Sequence, residues 1–425
     1  MRRYDSYKPS DVQWIGDIPS HWRTALISKL FDIKAGGDAQ PEFYNDIKDA
    51  EHPYPVYTNT KSPLATYAYT SQPRFEGKCI TVTGRGEIGR AIYRAKPFDA
   101  IVRLLVLTPK LDVNSRFYAF YIDTVMDFHS DSAAIGQLSA QQISPFKVCL
   151  PPLAEQEKIV EFLSTKTSLI DAQQRERERE LRLLEELKQA EIAEVVTRGL
   201  NPDVPMRDSG ILWIGQIPAH WKVEPIGSHF RQRKETVSDK DYPPLSVSKQ
   251  GITPQLETAC KSNNGDKRKL VLKGDFVVNS RSDRKGSCGV SDYDGSVTLI
   301  SIVVTPLDMY PRYCHHLFRS HNYVEEFYRN GRGIVADLWT TRYSEMSSIQ
   351  IPIPPIEEQK AIVAYIESKL SNIDSIIADL KAEIEYLTEY KQRLIADVVT
   401  GQINVQPVIA EGALSNKENQ DINVN

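Results

Sequence analysis

The chain has 425 residues, of which 41% are hydrophobic and 25% are charged. These values are typical of a globular protein that is soluble in water and has two or three domains. The formal net charge of −4 does not by itself indicate nucleic acid as a partner. No apolar run reaches membrane-spanning length, and the first residues lack the apolar core of a secretory signal. The five cysteines form no CxxC pair, which favours reduced thiols, so we expect a cytoplasmic protein.

A decapeptide that contains tryptophan occurs near the start of the chain and again at its middle. Residues 13–22 read QWIGDIPSHW and residues 212–221 read LWIGQIPAHW, which is an offset of 199 residues. Four of the five tryptophans lie in these two segments. In each copy the Ile-Pro-x-His-Trp sequence leads into alternating apolar and polar residues. This pattern predicts a turn and a tryptophan-anchored entry into a domain.

The segment that follows each decapeptide is predicted to be mixed α and β, with strands dominant. The β-rich runs Cys79–Val82 and Asp275–Val278 are each followed by a loop that is rich in glycine or arginine. Aromatic stretches at Phe117–Tyr121 and Tyr313–Phe318 predict short helices. Alternating apolar residues before each Pro-Pro pair predict a last strand in each segment.

A long helix is predicted after each Pro-Pro pair. Residues 151–171 read PPLAEQEKIVEFLSTKTSLID and residues 354–374 read PPIEEQKAIVAYIESKLSNID, an offset of 203 residues. Proline at the start and acids in the first turn are what a helix N-terminus favours. In the second copy, apolar residues recur at alternating intervals of four and three, which predicts a coiled coil. Lys188 and Lys391 occupy equivalent positions of this seam, and we interpret them as snorkelling or register-setting residues.

The predicted fold class is α+β: two globular mixed α/β domains joined by two long antiparallel coiled-coil helices, with a pseudo-two-fold internal repeat. A helix of about 44 residues is on the order of 65 Å long. The second domain begins and ends at the same helix end, so the second helix must run back toward the first domain. The chain start and the C-terminal tail should then lie close together. The expected boundaries are 1–150 and 201–353 for the domains, 151–200 and 354–401 for the helices, and 402–425 for an Asn-rich tail that we expect to be disordered.

The sequence gives no support for catalysis by this chain. It contains no GxxxxGK[ST] loop, and the GRGEIG run at Gly84–Gly89 resembles GxGxxG without a convincing βαβ context. Cys314–His316 with His321 lacks the spacing that metal ligands normally show. No arrangement of serine, histidine and aspartate can be argued from residue order. We therefore expect no catalytic residue, no metal and no cofactor bound by this chain.

The repeated motifs give the chain a specific resemblance. The WIG-x-IP-x-HW entry, the PP-hydrophobic-x-EQ-x-x-IV helix start and the VVT helix end each occur twice. In this respect the chain resembles the specificity subunits of type I restriction-modification systems, over about residues 4–404. The resemblance implies that each variable segment is a target-recognition domain for one half of a bipartite DNA sequence. It also implies that the helices dock two methyltransferase subunits, which use S-adenosylmethionine, and that restriction subunits join that core.

Two basic loops are the predicted DNA-binding sites. Direct readout of bases needs arginine, lysine, asparagine or glutamine on loops that reach the base edges, and glycine lets backbone amides approach a phosphate. A solvated turn without DNA contact is the alternative for any single residue. The candidates are Asn59, Lys61, Gly84, Arg85, Gly86 and Arg90 in the first domain, and Asn279, Ser280, Arg281, Arg284, Lys285 and Arg332 in the second.

Partner subunits are predicted to bind apolar helix positions that the coiled-coil seam does not use. An antiparallel pair buries one stripe of each helix, and leftover apolar positions near the Pro-Pro ends invite partner helices. The predicted positions are Val160, Phe162, Ile362 and Tyr365. A purely internal scaffold remains the alternative for the seam.

Two other functions remain open at the level of sequence. A protein-binding assembly scaffold would show no duplex binding that is sensitive to salt. A nuclease or methyltransferase hidden in the variable segments would give the isolated chain an activity that one point mutation abolishes. Double-stranded DNA is the partner that the repeated motifs favour.

Overall fold

The computed structural model describes residues 2–12, 14–60, 65–102, 104–128, 137–256, 265, 267–333 and 339–405. Lys61 and the predicted tail beyond residue 405 lie outside these ranges. The chain divides into two compact units. Unit 1 contains residues 1–177 and 383–425, and unit 2 contains residues 178–382. Each unit therefore holds one domain and a part of each long helix.

Unit 1 contains two four-stranded sheets and two strand pairs. One sheet is antiparallel throughout, in the order Phe31–Ala35, Leu105–Pro109, Cys79–Val82 and Ala91–Arg94. The other has the order Asp99–Ala100, Tyr54–Tyr57, Ala68–Thr70 and Tyr44–Asn45, with its first two strands parallel. The pairs are Tyr7–Pro9 with Asp17–Pro19, and Arg23–Leu26 with Lys147–Leu150. The helices are Ile27–Leu30, Ser115–Val125, Ala140–Ile143 and the first long helix, Leu153–Arg198, with a 3-10 turn at Pro41–Phe43.

Unit 2 repeats the central sheet of unit 1 with the same strand order. Its four strands run Phe230–Gln232, Ser301–Pro306, Phe276–Asn279 and Cys288–Val290, all antiparallel. A three-stranded sheet has the order Thr236–Val237, Arg268–Val271 and Gly295–Val297. The pairs are Met206–Asp208 with Gln216–Pro218, Lys222–Pro225 with Gln350–Ile353, and Leu245–Ser248 with Gly251–Pro254. The helices are Ile226–His229, Pro311–Arg319, His321–Arg329, Tyr343–Ser348 and the second long helix, Ile356–Val399, with a 3-10 turn at Ser282–Arg284.

The two long helices are antiparallel, as predicted. In unit 1, Asp171 contacts Lys391 at 2.5 Å and Arg177 contacts Glu383 at 3.0 Å. Residue numbers increase along the first helix where they decrease along the second, so the two helices run in opposite directions. In unit 2 the same direction follows from two contacts, Lys188 with Asp374 and Glu185 with Lys381. The seam residues are buried or half-buried along both helices, which confirms the predicted coiled-coil stripe.

The two seam lysines form equivalent ion pairs. Lys391 reaches Asp171 in unit 1, and Lys188 reaches Asp374 in unit 2. Both the lysines and the aspartates are related by the offset of 203 residues. All four side chains are partly exposed, so each pair contributes at most about 1 kcal/mol to stability and acts mainly on register.

Each tryptophan decapeptide is anchored to the first turn of the helix that ends its own domain. Trp22 is fully buried, and its Nε1 donates to Glu155 Oε2 at 3.1 Å. Trp221 makes the same contact with Glu358 Oε2 at 2.9 Å. The residues before them, which are histidines, pair with the same carboxylates at 2.9 and 2.7 Å. The predicted tryptophan-anchored entry is therefore closed by the glutamate of the PPxxEQ motif.

The glutamine of that motif also has a structural role. Gln156 Oε1 accepts a hydrogen bond from Asn114 N at 2.9 Å, and its Nε2 donates to Pro151 O at 2.9 Å. Gln359 repeats both bonds, with Tyr310 N and Pro354 O at 2.8 Å each. Both glutamines are buried, and buried amides need such partners. The motif thus connects the first turn of each long helix to the domain that precedes that helix in the chain.

In unit 1 the start of the chain packs on the end of the second long helix. Arg2 bridges Asn404, Tyr7 OH donates to Gly401 O at 3.0 Å, and Gln402 Nε2 donates to Asp17 O at 2.7 Å. This confirms the predicted proximity. It also corrects the start of the predicted tail, because residues 402–405 form part of the folded unit and Val405 is fully buried.

Candidate nucleic-acid interface

The glycine loop of the first domain joins strands Cys79–Val82 and Ala91–Arg94. Thr83 closes it, since its N donates to Arg90 O at 3.0 Å and its Oγ1 accepts from Arg90 N at 3.0 Å. Gly86 has φ of 71°, a left-handed conformation that glycine adopts without strain. Arg85 and Gly86 are exposed at the tip, whereas Gly84 is buried at the base. The loop therefore presents a short, narrow tip with one arginine.

Asn59 holds this loop in place. Its Oδ1 accepts from Gly84 N at 2.7 Å and from Arg85 N at 3.3 Å, while its Nδ2 donates to Val102 O at 2.6 Å. The side-chain amide is occupied on both atoms. Asn59 therefore shapes the loop that carries Arg85, and its contact with DNA stays a prediction. Lys61, its predicted neighbour in the site, lies outside the described residues.

The two arginines of the glycine loop have different partners. Arg85 donates from Nε and Nη2 to Gln137 Oε1 at 3.1 and 2.8 Å, which leaves its charge unneutralised by this contact. Arg90 Nη1 contacts Asp123 Oδ2 at 2.9 Å. Burial raises the pKa of Asp123, and Arg90 opposes that effect. Of the two, Arg85 is better placed to bind an external acceptor.

The equivalent loop of the second domain spans residues 280–287. Ser280 is buried, and its Oγ donates to Ile300 O at 2.6 Å. Its contact with DNA stays a prediction. Asn279 Oδ1 accepts from Arg281 N at 3.1 Å, and Tyr328 OH donates to the Asn279 carbonyl at 2.9 Å. These bonds fix the start of the loop against the core.

The predicted basic residues of the second domain lie next to carboxylates. Arg281 Nε is 3.2 Å from Asp283 Oδ1, and Arg284 is 4.0 Å from the same side chain. The other two pairs join residues that are farther apart along the chain: Lys285 with Glu325 at 2.7 Å and Arg332 with Glu345 at 3.5 Å. All of these basic side chains are more than a third exposed, so the pairs are weak and a phosphate could displace the carboxylates.

Both loops are tied to the segment that leads into the last short helix of their domain. In the first domain Leu138 N donates to Gly84 O at 2.8 Å, and in the second Thr341 N donates to Ser280 O at 3.0 Å. In the second domain, Arg281 and Arg332 both form bridges to Thr340. The structure thus brings together two predicted site segments that are about fifty residues apart.

Arg342 belongs to this site but was not among the predicted residues. It is exposed immediately before helix Tyr343–Ser348, and it lines one cavity with Arg281. No carboxylate pairs with its guanidinium within the described ranges. The sequence does carry a signal for it, since the offset of 203 places Arg342 opposite Ser139, the N-cap of the equivalent helix in the first domain. A hydroxyl in one repeat and a cation in the other indicates divergence at a shared position.

The predicted partner positions on the helices are covered by their own units, and partner binding at them stays a prediction. Val160 and Phe162 belong to the core of unit 1, and Ile362 belongs to the core of unit 2. Tyr365 is partly buried and donates its OH to Glu191 Oε1 at 2.6 Å. The physical reason is that the first turns of each long helix pack against their own domain as well as against the other helix. A prediction that considers only the two helices of a coiled coil therefore overestimates the apolar helix surface that is exposed near the Pro-Pro ends.

Other apolar side chains are exposed farther along the long helices. Leu183 and Leu187 are 55% and 53% exposed and lie one turn apart. Tyr386 and Tyr390 are also one turn apart, and their rings stack at 6.3 Å with an interplanar angle of 15°. Leu169 and Ile376 add further exposed apolar positions, one in each unit. These residues are the uncovered apolar surface of the helices.

Among the described residues, burial shifts the pKa of several cysteine and histidine side chains in the direction that favours their neutral forms. Burial raises the pKa of the Cys149 and Cys288 thiols to about 12. Burial, followed by the charge of Arg319, lowers the pKa of His315 to about 3 and that of His316 to about 4. Within the described residues, no group of three or more His, Cys, Asp or Glu side chains could hold a metal ion. No helix among these residues is long and apolar enough to cross a membrane.

Comparison with known proteins agrees with this geometry. The family model described as type I restriction modification DNA specificity domain matches residues 19–182 and 338–386, together half of the chain. The specificity subunit of the type I restriction enzyme EcoBI of Escherichia coli is 23% identical over 434 residues, which cover 93% of this chain and 89% of that relative. The specificity subunit of the enzyme MjaVIII of Methanocaldococcus jannaschii is 22% identical over 332 residues, which cover 71% of this chain and 74% of the relative.

Shorter and structural similarities point the same way. A Mycoplasma pneumoniae protein named as a candidate type I specificity subunit, S.MpnORF507P, is 30% identical over 142 residues, and the match covers only 39% of its length and 32% of this chain. Among solved structures, a chain from work on assembly and conformational transition of a type I restriction-modification system matches 91% of this chain and 99% of its own length. The TM-score is 0.63 at 14% identity, which shows a shared fold. The chain therefore belongs to the type I restriction-modification DNA specificity family, which recognises DNA sequence and is not catalytic.

Proposed function

We propose that this chain reads a bipartite, gapped DNA target, with one half-site bound by each domain. The observation that carries the proposal is the repeated four-stranded sheet, which has the same strand order in both units but different loop residues. The first loop reads TGRGEIGR from residue 83 and the second reads SRSDRKGS from residue 280. Two sheets of the same topology that carry loops of different sequence suit two sites that read different bases.

The basic side chains of each loop are the proposed DNA contacts. Arg85, with the backbone of Gly84 and Gly86, and Arg90 serve the first half-site. Arginine can donate two parallel hydrogen bonds to guanine, while other cations and backbone amides hold phosphates and set the register. Weak, exposed ion pairs with carboxylates can be exchanged for phosphate contacts. In the second domain the proposed contacts are Arg281, Arg284, Lys285 and Arg332.

The long helices are the proposed docking surface for two methyltransferase subunits, which restriction subunits then join. The exposed pairs Leu183 with Leu187 and Tyr386 with Tyr390 support this proposal, because apolar side chains one turn apart suit a partner helix. S-adenosylmethionine belongs to the methyltransferase subunits in this scheme, and this chain supplies sequence recognition. The proposed location is the cytoplasm, where chromosomal DNA is accessible.

The test is methylation-sensitive sequencing of genomic DNA from cells with the intact system and from cells that lack only this chain. The proposal predicts that a single split motif, with two defined halves and an undefined gap, loses methylation in the deletion strain. A control strain that expresses the chain from a plasmid should recover the motif. If methylation of every motif is unchanged by the deletion, the proposed function is wrong.

The gap itself gives a sharper prediction. Inserting one heptad of helix-forming residues into the first long helix between Asp171 and Val195, with the matching heptad in the second helix, should lengthen the undefined gap. Both half-sites should keep their bases, because the domains are untouched. The methylated motif of the variant checks this, and a change of half-site bases at constant gap would contradict the proposal. A seven-residue deletion from both helices is the matched control and should shorten the gap.

A further inference from the structure

A cavity of 570 Å³ lies on the second domain between the loop of residues 280–287 and the segment of residues 340–343. Lys269, Arg281 and Arg342 line it with positive charge, and Gln232 adds an amide. Within the described ranges no carboxylate lines this cavity. Four other cavities of unit 2 each include at least one glutamate or aspartate among their lining residues. The charge of this cavity therefore fits a polyanion.

Arg342 differs from the other two cations of this cavity in its surroundings. It is exposed, and none of the described carboxylates lies within ion-pairing distance of its guanidinium. Arg281 differs, because Asp283 lies 3.2 Å from its Nε. Lys269 also differs, because its Nζ donates to Ser301 O at 2.5 Å and burial lowers the pKa of the ammonium group. A guanidinium carries five N–H donors in a fixed fork and can meet two acceptors at once.

The walls of the cavity combine amide and apolar groups. Gln232 ends the first strand of the four-stranded sheet and is half-buried. Leu299 and Ile300 are 47% and 46% exposed, although they flank buried core residues. Hydrogen-bonding side chains beside apolar ones are the combination that reads base edges and thymine methyl groups in the major groove.

We propose that this cavity is the base-reading groove of the second domain and that Arg342 reads a guanine through its O6 and N7 atoms. This inference rests on the proposed function and assigns one residue to one base of the second half-site. The occupant is duplex DNA, because the described lining residues include no carboxylate and offer a bidentate donor next to apolar walls. Lys269 and Arg281 hold the adjoining phosphate backbone of the DNA. Thr340 keeps the loop of residues 280–287 next to the segment of residues 340–343.

The experiment compares three variants in cells that carry the complete system: Arg342→Ala, Arg342→Lys and Arg312→Ala. Arg312 is the matched control, since its side chain is 42% exposed, pairs with Asp292 at 2.8 Å and does not line the cavity. Sequencing measures the methylated fraction at the wild-type motif and at sites with one base replaced. Arg342→Ala should reduce discrimination at one guanine of one half-site by about 10- to 100-fold, while the other half-site stays unchanged. Arg342→Lys should lose less, because lysine reaches the same acceptors with a single point charge.

The outcomes separate this inference from the proposed function. If the wild type shows a split motif and Arg342→Ala and Arg342→Lys both leave every position unchanged, the inference is wrong and the proposed function stands. If Arg342→Ala leaves the motif unchanged but weakens binding of a protein partner, the cavity is a protein site and the inference is again wrong. Loss of folding in Arg342→Ala would show as loss of the whole motif, and Arg342→Lys then decides the question alone. A wild type without a split motif would overturn the proposed function itself.

Discussion

The two tryptophan anchors share the contacts of histidine and tryptophan with a glutamate but differ in burial. Glu155 is 4% exposed and accepts from Tyr4 OH as well as from His21 and Trp22. Glu358 is 41% exposed, and its partners among the described residues are the histidine and the tryptophan. The difference comes from the start of the chain, which covers the first anchor. In the second repeat, the position that corresponds to Tyr4 at the offset of 199 is Asp203, which cannot supply a phenol. A repeated motif can therefore keep its hydrogen-bond geometry while its contribution to stability depends on the residues that bury it.

Replacing the tryptophans would break both anchors and should have the largest effect. Trp22→Ala and Trp221→Ala each remove a buried indole, and each should destabilise its own unit by about 3–5 kcal/mol. Hydrogen exchange measured on peptides of both units would report the loss unit by unit. Trp14→Ala is the control, because Trp14 is 49% exposed and should cost less than about 1 kcal/mol. Equal losses from Trp14→Ala and Trp22→Ala would contradict the anchor.

Replacing the glutamates would sharpen the comparison. Glu155→Ala leaves three donors without their acceptor in a closed site and should destabilise unit 1 by about 3 kcal/mol. Glu358→Ala should destabilise unit 2 by only about 1 kcal/mol, since water can replace the more exposed carboxylate. The same exchange measurement checks both values. In a Tyr4→Phe background the cost of Glu155→Ala should fall, and identical costs with and without Tyr4 would show that the cover has no effect.

The seam ion pairs should have the smallest effect and should be the same in both units. Double-mutant cycles on Lys391 with Asp171, and on Lys188 with Asp374, should give coupling energies of about 0.3–1 kcal/mol each. The couplings should decrease in 1 M salt, where the screening length is about 3 Å. Urea denaturation of the four single and two double alanine variants measures them. A coupling that is large in one unit and absent in the other would mean that the repeat is not equivalent at the seam.

The repeats made most of the fold predictable. The offsets of 199 and 203 residues identified the decapeptides, the long helices and their register, and the seam Ile366, Leu370 and Leu387 is buried as the heptads indicate. The site was predictable at the level of loops and less so at the level of residues. Ser280 looks like a loop hydroxyl in the sequence, but tertiary packing buries it. Arg342 lies outside any Gly/Arg run, and the contact of its segment with the loop of residues 280–287 places it in the site.

The helix surface shows the same limit. Val160, Phe162 and Ile362 lie off the seam, and a two-helix pattern leaves them free. In the fold they pack against the domain that rests on the helix start, and no periodicity within the helix encodes that third partner. The exposed residues Leu183 and Tyr386 were equally invisible, because a coiled-coil pattern says which stripe is buried and not which other apolar positions stay in solvent.

The contact between the two ends of unit 1 has a consequence for synthesis on the ribosome. Unit 2 is a continuous stretch, residues 178–382, and can complete its core while the chain is still growing. Unit 1 needs Leu387, Val398 and Val405 from the end of the chain to close the core around Trp22. Domains usually fold in the order of their synthesis, yet here the domain made first is finished last. A prematurely terminated chain would then present a complete second domain and an open first one, which proteases can recognise before a half-specific reader reaches DNA.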